Sequence, residues 1–352
     1  MKPPSLQLRE SEKVMNRQEE DFNQTERPWG AEFPTLEKPR RRSPFDHPAI
    51  NAALFVLTFF TTTVAGVAWL NKDPFDLTNF RLGLPYSLSL LFILSSHELG
   101  HYFASRYHRV DATLPFFIPF PVMEGFLNFG TLGALIRTKS PVPTRRAMFD
   151  IGVSGPMAGF IASLAVLVYG FLTLPDISYL YWIHPEYQFM PSLPTGGLTF
   201  GGTLLYDGLA HLLRPYISGF VPPMNEMYHY PFLCVGWFGL FVTAMNLLPV
   251  GQLDGGHIIY AMFGSAHRII SRAALGGISL IGLLGFLPLV GVEAFGWTGW
   301  IFWALVLFFV VKIDHPAIAD PVGLDRKRRA IGWVAILMFF LSFSIAPFQL
   351  PL

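Results

Sequence analysis

Apolar residues along this chain gather into long blocks separated by shorter polar stretches. A helix needs roughly 20 apolar residues to cross a hydrocarbon core about 30 Å thick. On that measure the blocks predict spans at Ile50–Leu70, Leu84–Tyr107, Phe149–Leu174, Pro231–Pro249, Ala273–Val292, Trp297–Val311 and Ala330–Pro347. The Trp297 block is short, and with its predecessor it also reads as a hairpin that does not fully cross. The expectation is an α-helical polytopic membrane protein with about seven transmembrane helices, within a range of six to eight.

Two connections carry structure of their own. Leu114–Pro121 is apolar, but Pro115, Pro119 and Pro121 argue against a helix there. Beyond it, Gly130–Thr138 and a second short run reaching Phe149 are expected to pair as a small membrane-associated β-hairpin. The loop 175–230 holds aromatics, Gly and Pro, with a short amphipathic helix expected near Leu204–Leu213. Residues 1–47 are polar and rich in charge and proline, lack an apolar signal core, and read as a disordered cytoplasmic tail.

Composition sharpens this picture. Hydrophobic residues make up 52% and charged residues 14% of 352, where a soluble domain carries about a quarter charged. A net charge of +1 gives no footing for a nucleic-acid partner. The lone Cys234 rules out an intrachain disulfide and a cysteine-based zinc site. It reads as a small buried hydrophobe. Of the 25 Lys and Arg, all but Lys72, Arg81 and Arg214 fall in the tail or in the segments 106–148, 264–272 and 312–329. The positive-inside rule therefore places the N-terminus in the cytoplasm and loop 175–230 on the opposite side.

The candidate chemistry lies inside the second span, as His97-Glu98-Leu99-Gly100-His101. Helical positions i and i+4 share a face, so both imidazoles can reach one metal ion, with Glu98 beside them to act on water. A bland alternative makes them helix-end polar residues snorkelling to the interface beside Arg106 and Arg109. It accounts poorly for a Glu flanked by two His nearly two turns earlier, since intramembrane ionisable groups are costly and usually functional. A catalytic zinc needs a third protein ligand and one open position. The best candidate is Asp254, presented by Asn246-Leu-Leu-Pro-Val-Gly-Gln-Leu-Asp-Gly-Gly256, where Pro249 ends the helix and paired glycines permit close approach. Its alternative is a helix-capping Asp.

Together these two motifs resemble the site-2 protease family of intramembrane zinc metalloproteases, whose pattern of HExxH and N-x-x-P-x-x-x-L-D-G is matched at Asn246, Pro249, Leu253, Asp254 and Gly255. The resemblance covers roughly residues 85–260. It implies one zinc per chain held by His97, His101 and Asp254, Glu98 as general base and acid, and Asn246 positioning the substrate backbone or stabilising the oxyanion. Gly152-Val-Ser-Gly155-Pro-Met-Ala-Gly159 is similar to the family's middle core span and suits close helix packing. The Gly130–Phe149 segment resembles the family's β-hairpin, whose edge could take an unwound substrate by strand addition. The inner loop 108–148 leaves no room for the PDZ domain many relatives carry, and no soluble sensor domain is expected after the last span.

The expected function is hydrolysis of peptide bonds in or near transmembrane segments, at a site toward the cytoplasmic face. The partners are the lipid bilayer and a transmembrane substrate, either intact or already trimmed by another protease. The expected organisation is a tail at 1–47, a first span and outer loop at 48–82, a metalloprotease core at 83–262 and C-terminal transmembrane helices at 263–352. Three other readings remain: an inactive relative that binds membrane proteins, a transporter with an intramembrane His/Glu ion site, and a prenyl-protein-processing peptidase with a Glu ligand on a late helix. For the last, Glu293 is the only carboxylate among the late spans, and it falls on the outer side. Weaker site candidates are His257, His108, Glu124 and Asn128. His184, His211 and His229 lie in the outer loop, on the wrong side for this site.

Overall fold

A computed structural model describes residues 47–123, 128–292, 295–311, 313, 315 and 322–349. The tail expected at 1–47, apart from His47, lies outside these residues, as do Glu124 and Glu293.

Helix α1 (Pro48–Trp69) begins where His47 accepts a hydrogen bond from the Ala49 N–H and Pro48 needs no amide partner. A 3₁₀ turn, Leu77–Gly83, leads into α2 (Leu84–Tyr107). A Cβ at Gly83 would lie 2.0 Å from the Thr63 carbonyl oxygen, so a side chain there would hold α1 and α2 apart. Within this contact Thr62 Oγ1 donates to the Thr58 carbonyl at 2.7 Å and lies 2.6 Å from Ser87 Oγ.

Strand β1 (Phe116–Pro119) pairs antiparallel with β2 (Thr131–Leu135), setting Phe116 opposite Leu135 and Phe117 opposite Ala134. This corrects the expected hairpin. The second half of 130–149 is not a strand, because Thr144 caps the next helix by accepting from the Ala147 N–H at 3.1 Å. The partner is instead the proline-punctuated run, whose prolines flank or end a short, bulged edge strand, where a missing donor is tolerated.

Helix α3 (Arg145–Leu172) therefore starts before Phe149 and packs between α2 and α6 (Pro231–Asn246). These three helices enclose the core: Leu90, Ile93, Leu167, Leu233, Trp237 and Leu240 are buried. Loop 175–230 folds as α4 (Ser178–Ile183), a 3₁₀ turn Pro185–Phe189, β3 (Thr199–Phe200), α5 (Leu204–Leu213) and a 3₁₀ turn Met227–His229. Helix α5 fulfils the expected amphipathic helix, capped by Thr203.

Past the core follow α7 (Asp254–Phe263), α8 (His267–Leu284), α9 (Gly299–Val306, continued by a π turn Leu307–Val311) and α10 (Arg326–Ser342). The last strand, β4 (Phe348–Gln349), pairs with β3. Helix α10 is tied to α3 by a two-pronged bond, Arg328 Nε to Asp150 Oδ1 at 2.8 Å and Nη2 to Oδ2 at 2.6 Å.

Among the described residues, four helical stretches are long and apolar enough to cross a membrane: Pro48–Trp69, Leu77–Tyr107, Arg145–Leu172 and Asp254–Leu284. Pro231–Asn246 and Gly299–Val311 are apolar but shorter. Phe60 on α1, Phe92 on α2 and Ile161 on α3 project outward, as helices in lipid present apolar side chains. The protein is a multi-pass α-helical membrane protein.

Candidate metal centre

One turn separates His97 from His101 on α2, so both rings project from one face, with centroids 4.8 Å apart. Helix α6 ends at Asn246, and Leu247–Leu253 folds back tightly enough that a Cβ at Gly255 would lie 2.0 Å from the Leu247 carbonyl oxygen. That turn, helped by Gly251 at φ +55°, delivers Asp254 as the first residue of α7. His97 Nε2 and His101 Nε2 are 3.1 Å apart, and Asp254 Oδ2 lies 3.5 Å and 3.2 Å from them. His97, Glu98 and His101 are all buried.

The donors fit zinc. Two imidazole nitrogens and a carboxylate oxygen compose a familiar three-ligand set with one position open. Tetrahedral bonds of roughly 2.0–2.1 Å would separate ligand atoms by about 3.3 Å, close to the three spacings observed. Tautomer chemistry agrees: His101 Nδ1 lies 2.7 Å from the Ile151 carbonyl oxygen, which can only accept. Nδ1 therefore carries the proton and leaves a lone pair on Nε2, the bracing that metal-ligating histidines use.

The glycines of α3 form the seat for these rings. A Cβ at Gly155 would fall 2.1 Å from His101 Nε2, and one at Gly159 would fall 3.1 Å from His97 Nδ1. Gly100 on α2 abuts the Ser154 backbone in the same contact. Their 152, 155, 159 spacing marks one helix face, but not which side chains occupy it.

The cluster opens into a cavity of about 310 Å³ lined also by Glu98, Asn246, Gln252 and His257, and by Ala134–Ile136 and Thr138 at and beyond β2. Glu98 and Ile136, just beyond β2, line the same cavity. The Asn246 amide nitrogen lies 3.4 Å from His97 Nε2. His257 lines the cavity but turns Nδ1 to His315 Nε2 at 2.7 Å, outside the three-ligand cluster. His108 pairs with Asp150 at 2.8 Å. Asn128 braces the approach to β2, bonding the Pro121 carbonyl and the Gly130 N–H, and does not line the cavity. Cys234 is buried and unpaired by any disulfide. His211 is exposed on α5. His184 and His229 come together elsewhere, with Glu226. The sequence marks Gly152, Gly155 and Gly159 for close helix packing but not as the seat of the two rings, and it gives no sign of Ile151, Gln252 or Glu226.

Residues 85–289 match the model of Peptidase family M50. The chain is 31% identical to "Probable zinc metalloprotease EGY1, chloroplastic" of Arabidopsis thaliana over 261 residues, covering 74% of this chain and 42% of that protein. It is 31% identical to the protein of the same name from Oryza sativa subsp. japonica over 320 residues, 83% of this chain and 49% of that one. It is 28% identical to "Probable zinc metalloprotease EGY2, chloroplastic" of Oryza sativa subsp. indica over 306 residues, 85% and 50% of the two. The chain thus spans about half the length of the curated relatives it matches.

Proposed function

The chain belongs to peptidase family M50, the site-2 protease family, and from that membership we propose that it is an intramembrane zinc metalloendopeptidase acting on transmembrane protein substrates. The observation that carries this reading is the convergence of His97 Nε2, His101 Nε2 and Asp254 Oδ2 beside buried Glu98, within predominantly apolar helical stretches.

His97, His101 and Asp254 would hold one zinc ion. When bound, zinc acidifies water and polarises a carbonyl as a Lewis acid. Glu98, placed beside the cluster and not in it, takes the proton of the attacking water and returns it to the leaving amine, so that water and a peptide bond become a carboxylate and an amine. Asn246, at the rim of the same cavity, is placed to hold the substrate backbone or its developing oxyanion. A helical substrate must unwind before cleavage, and β2, which lines the cavity, offers backbone groups to an extended segment by strand addition.

Membrane insertion follows the same reading. Seven spans with a cytoplasmic N-terminus put the metal cluster toward the cytoplasmic face, as the Lys and Arg distribution favours. The organisation is a tail at 1–47, a first span and outer loop at 48–82, the protease core at 83–262 and C-terminal helices at 263–352. The substrate is a membrane protein, taken whole or after trimming by another protease. Replacing Asp254 by Ala and assaying zinc and proteolysis together tests the ligand set. Loss of both supports it, and full zinc occupancy at this site contradicts it.

A further inference from the structure

The outer loop brings together a second set of donors that the proposed proteolysis does not use. His184 Nε2 lies 2.9 Å from His229 Nε2, and Glu226 Oε2 lies 3.5 Å from His229 Nε2 and 4.0 Å from His184 Nε2. His229 and Glu226 are each 2% exposed, while His184 is only half-buried and leaves the group an open side. Glu226 follows a loop and His229 ends the 3₁₀ turn just before α6, whereas Asn246 ends that helix. The 16 residues of α6 span about 24 Å at 1.5 Å per residue, so this cluster lies far from His97.

Each imidazole is already braced on its far nitrogen. His229 Nδ1 lies 2.5 Å from the Trp69 carbonyl oxygen, which only accepts, so Nδ1 carries the proton. His184 Nδ1 lies 3.1 Å from Glu186 Oε1, again an acceptor when ionised. Both Nε2 atoms are thereby left with lone pairs that face each other at 2.9 Å. Lone pairs repel at that distance unless a cation stands between them. The carboxylate is held in the same way: Tyr187 Oη donates to Glu226 Oε1 at 3.0 Å and Asn225 Nδ2 to the same oxygen at 3.3 Å. The other oxygen, Oε2, is buried, turned toward the two nitrogens, and accepts no hydrogen bond among the described residues.

We propose that His184, Glu226 and His229 form a second metal site, for a divalent transition ion of zinc's class. Imidazole nitrogens and a carboxylate suit such an ion better than calcium or magnesium, which take oxygen ligands. A proton shared by the two histidines would relieve their repulsion but leave Glu226 Oε2 unsatisfied, whereas a metal ion answers all three atoms at once. The site would staple the turn at His184 and the approach to α6 against the end of α1, through the His229 bond to Trp69. Its role is therefore to hold the outer loop in place, independently of peptide hydrolysis.

The test is zinc stoichiometry of the full chain in detergent, with any affinity tag removed, read by mass spectrometry after gel filtration. The wild type should carry two zinc ions, Asp254→Ala one and His184→Ala one, with His184→Cys restoring the second. One zinc in the wild type that Asp254→Ala removes, or two retained in His184→Ala, overturns the proposal. A measurement on the unmutated chain covers a variant that fails to fold: diethylpyrocarbonate should modify His184 in the chelator-treated protein, and zinc, but not magnesium, should protect it at least tenfold. Equal modification with and without zinc overturns the site.

Discussion

Replacing Gly155 by Ala adds one methyl group to the helix that backs the metal cluster. The new Cβ would lie 2.1 Å from His101 Nε2, 2.4 Å from Cδ2 and 2.5 Å from Cε1. Ordinary contact begins near 3.4 Å, so the ring must retreat by about 1.3 Å, while zinc–ligand distances hold within roughly 0.2 Å. A retreat of that size also breaks the 2.7 Å bond to the Ile151 carbonyl that fixes the tautomer. Disturbing such a brace alone costs about 10–100-fold in metal affinity. Displacing the ligand as well should bring the loss to at least ~100-fold, about 2.7 kcal/mol. Helix propensity runs the other way, since Ala favours a helix over Gly by roughly 0.5–1 kcal/mol, so metal loss would not stem from helix unfolding. Two further variants give the scale. Gly159→Ala places its Cβ 3.1 Å from His97 Nδ1, needing a shift of a few tenths of an ångström, and should cost up to about 10-fold. Gly276→Ala on α8 meets nothing within 4 Å among the described residues and should cost nothing. Zinc affinity at this site, measured by competition with a chelating dye in detergent, should fall in the order Gly276→Ala, Gly159→Ala, Gly155→Ala. A Gly155→Ala protein with wild-type affinity would refute the seat.

Asp254→Ala should lower zinc content by one ion per chain and remove proteolysis, while Asp254→Glu keeps a carboxylate and should retain part of the metal. In a Cys234→Ser background, cysteines at the exposed positions Tyr107 and Phe189 should label from opposite sides of the membrane, Tyr107→Cys from the cytoplasm. Labelling from the same side contradicts the topology. Asp325 caps α10; the Arg328 backbone amide and then its side chain hold that carboxyl at about 2. A depressed carboxyl stabilises fully above its unfolded value near 4 and loses that contribution as pH falls toward 2. Wild-type thermal stability should therefore drop over that window more steeply than that of Asp325→Asn.

The metal cluster was legible because its first half is local. Two His and a Glu within five helical positions announce a shared face, and in an apolar span they have no cheap bland explanation. Asp254 was legible through the Pro and Gly around it, which mark an irregular presenting segment. The ribbon was half-legible: β2 was expected, but its partner was not, since Pro115 and Pro119 exclude a helix without showing which strand an edge will meet. The helix start at Arg145 turned on one side chain, Thr144, whose capping competes with strand pairing over the same residues. The second histidine cluster was not legible at all. His184 and His229 stand 45 residues apart in an irregular loop, where no periodicity relates them, and only the folded chain brings Glu226 beside them.

The central claim, hydrolysis at a zinc centre with Glu98 moving the proton, is tested most directly by comparing wild type with Glu98→Gln in ¹⁸O-labelled water. Each protein is incubated with unfolded casein and with membrane-inserted reporter segments; new carboxyl termini are read by mass spectrometry, and zinc is measured on the same samples. Wild type should generate ¹⁸O-labelled carboxyl termini, lose that activity to a chelator and regain it with zinc. Glu98→Gln should hold the same zinc and produce none. Cleavage by Glu98→Gln at the wild-type rate, or loss of its zinc, would contradict the account.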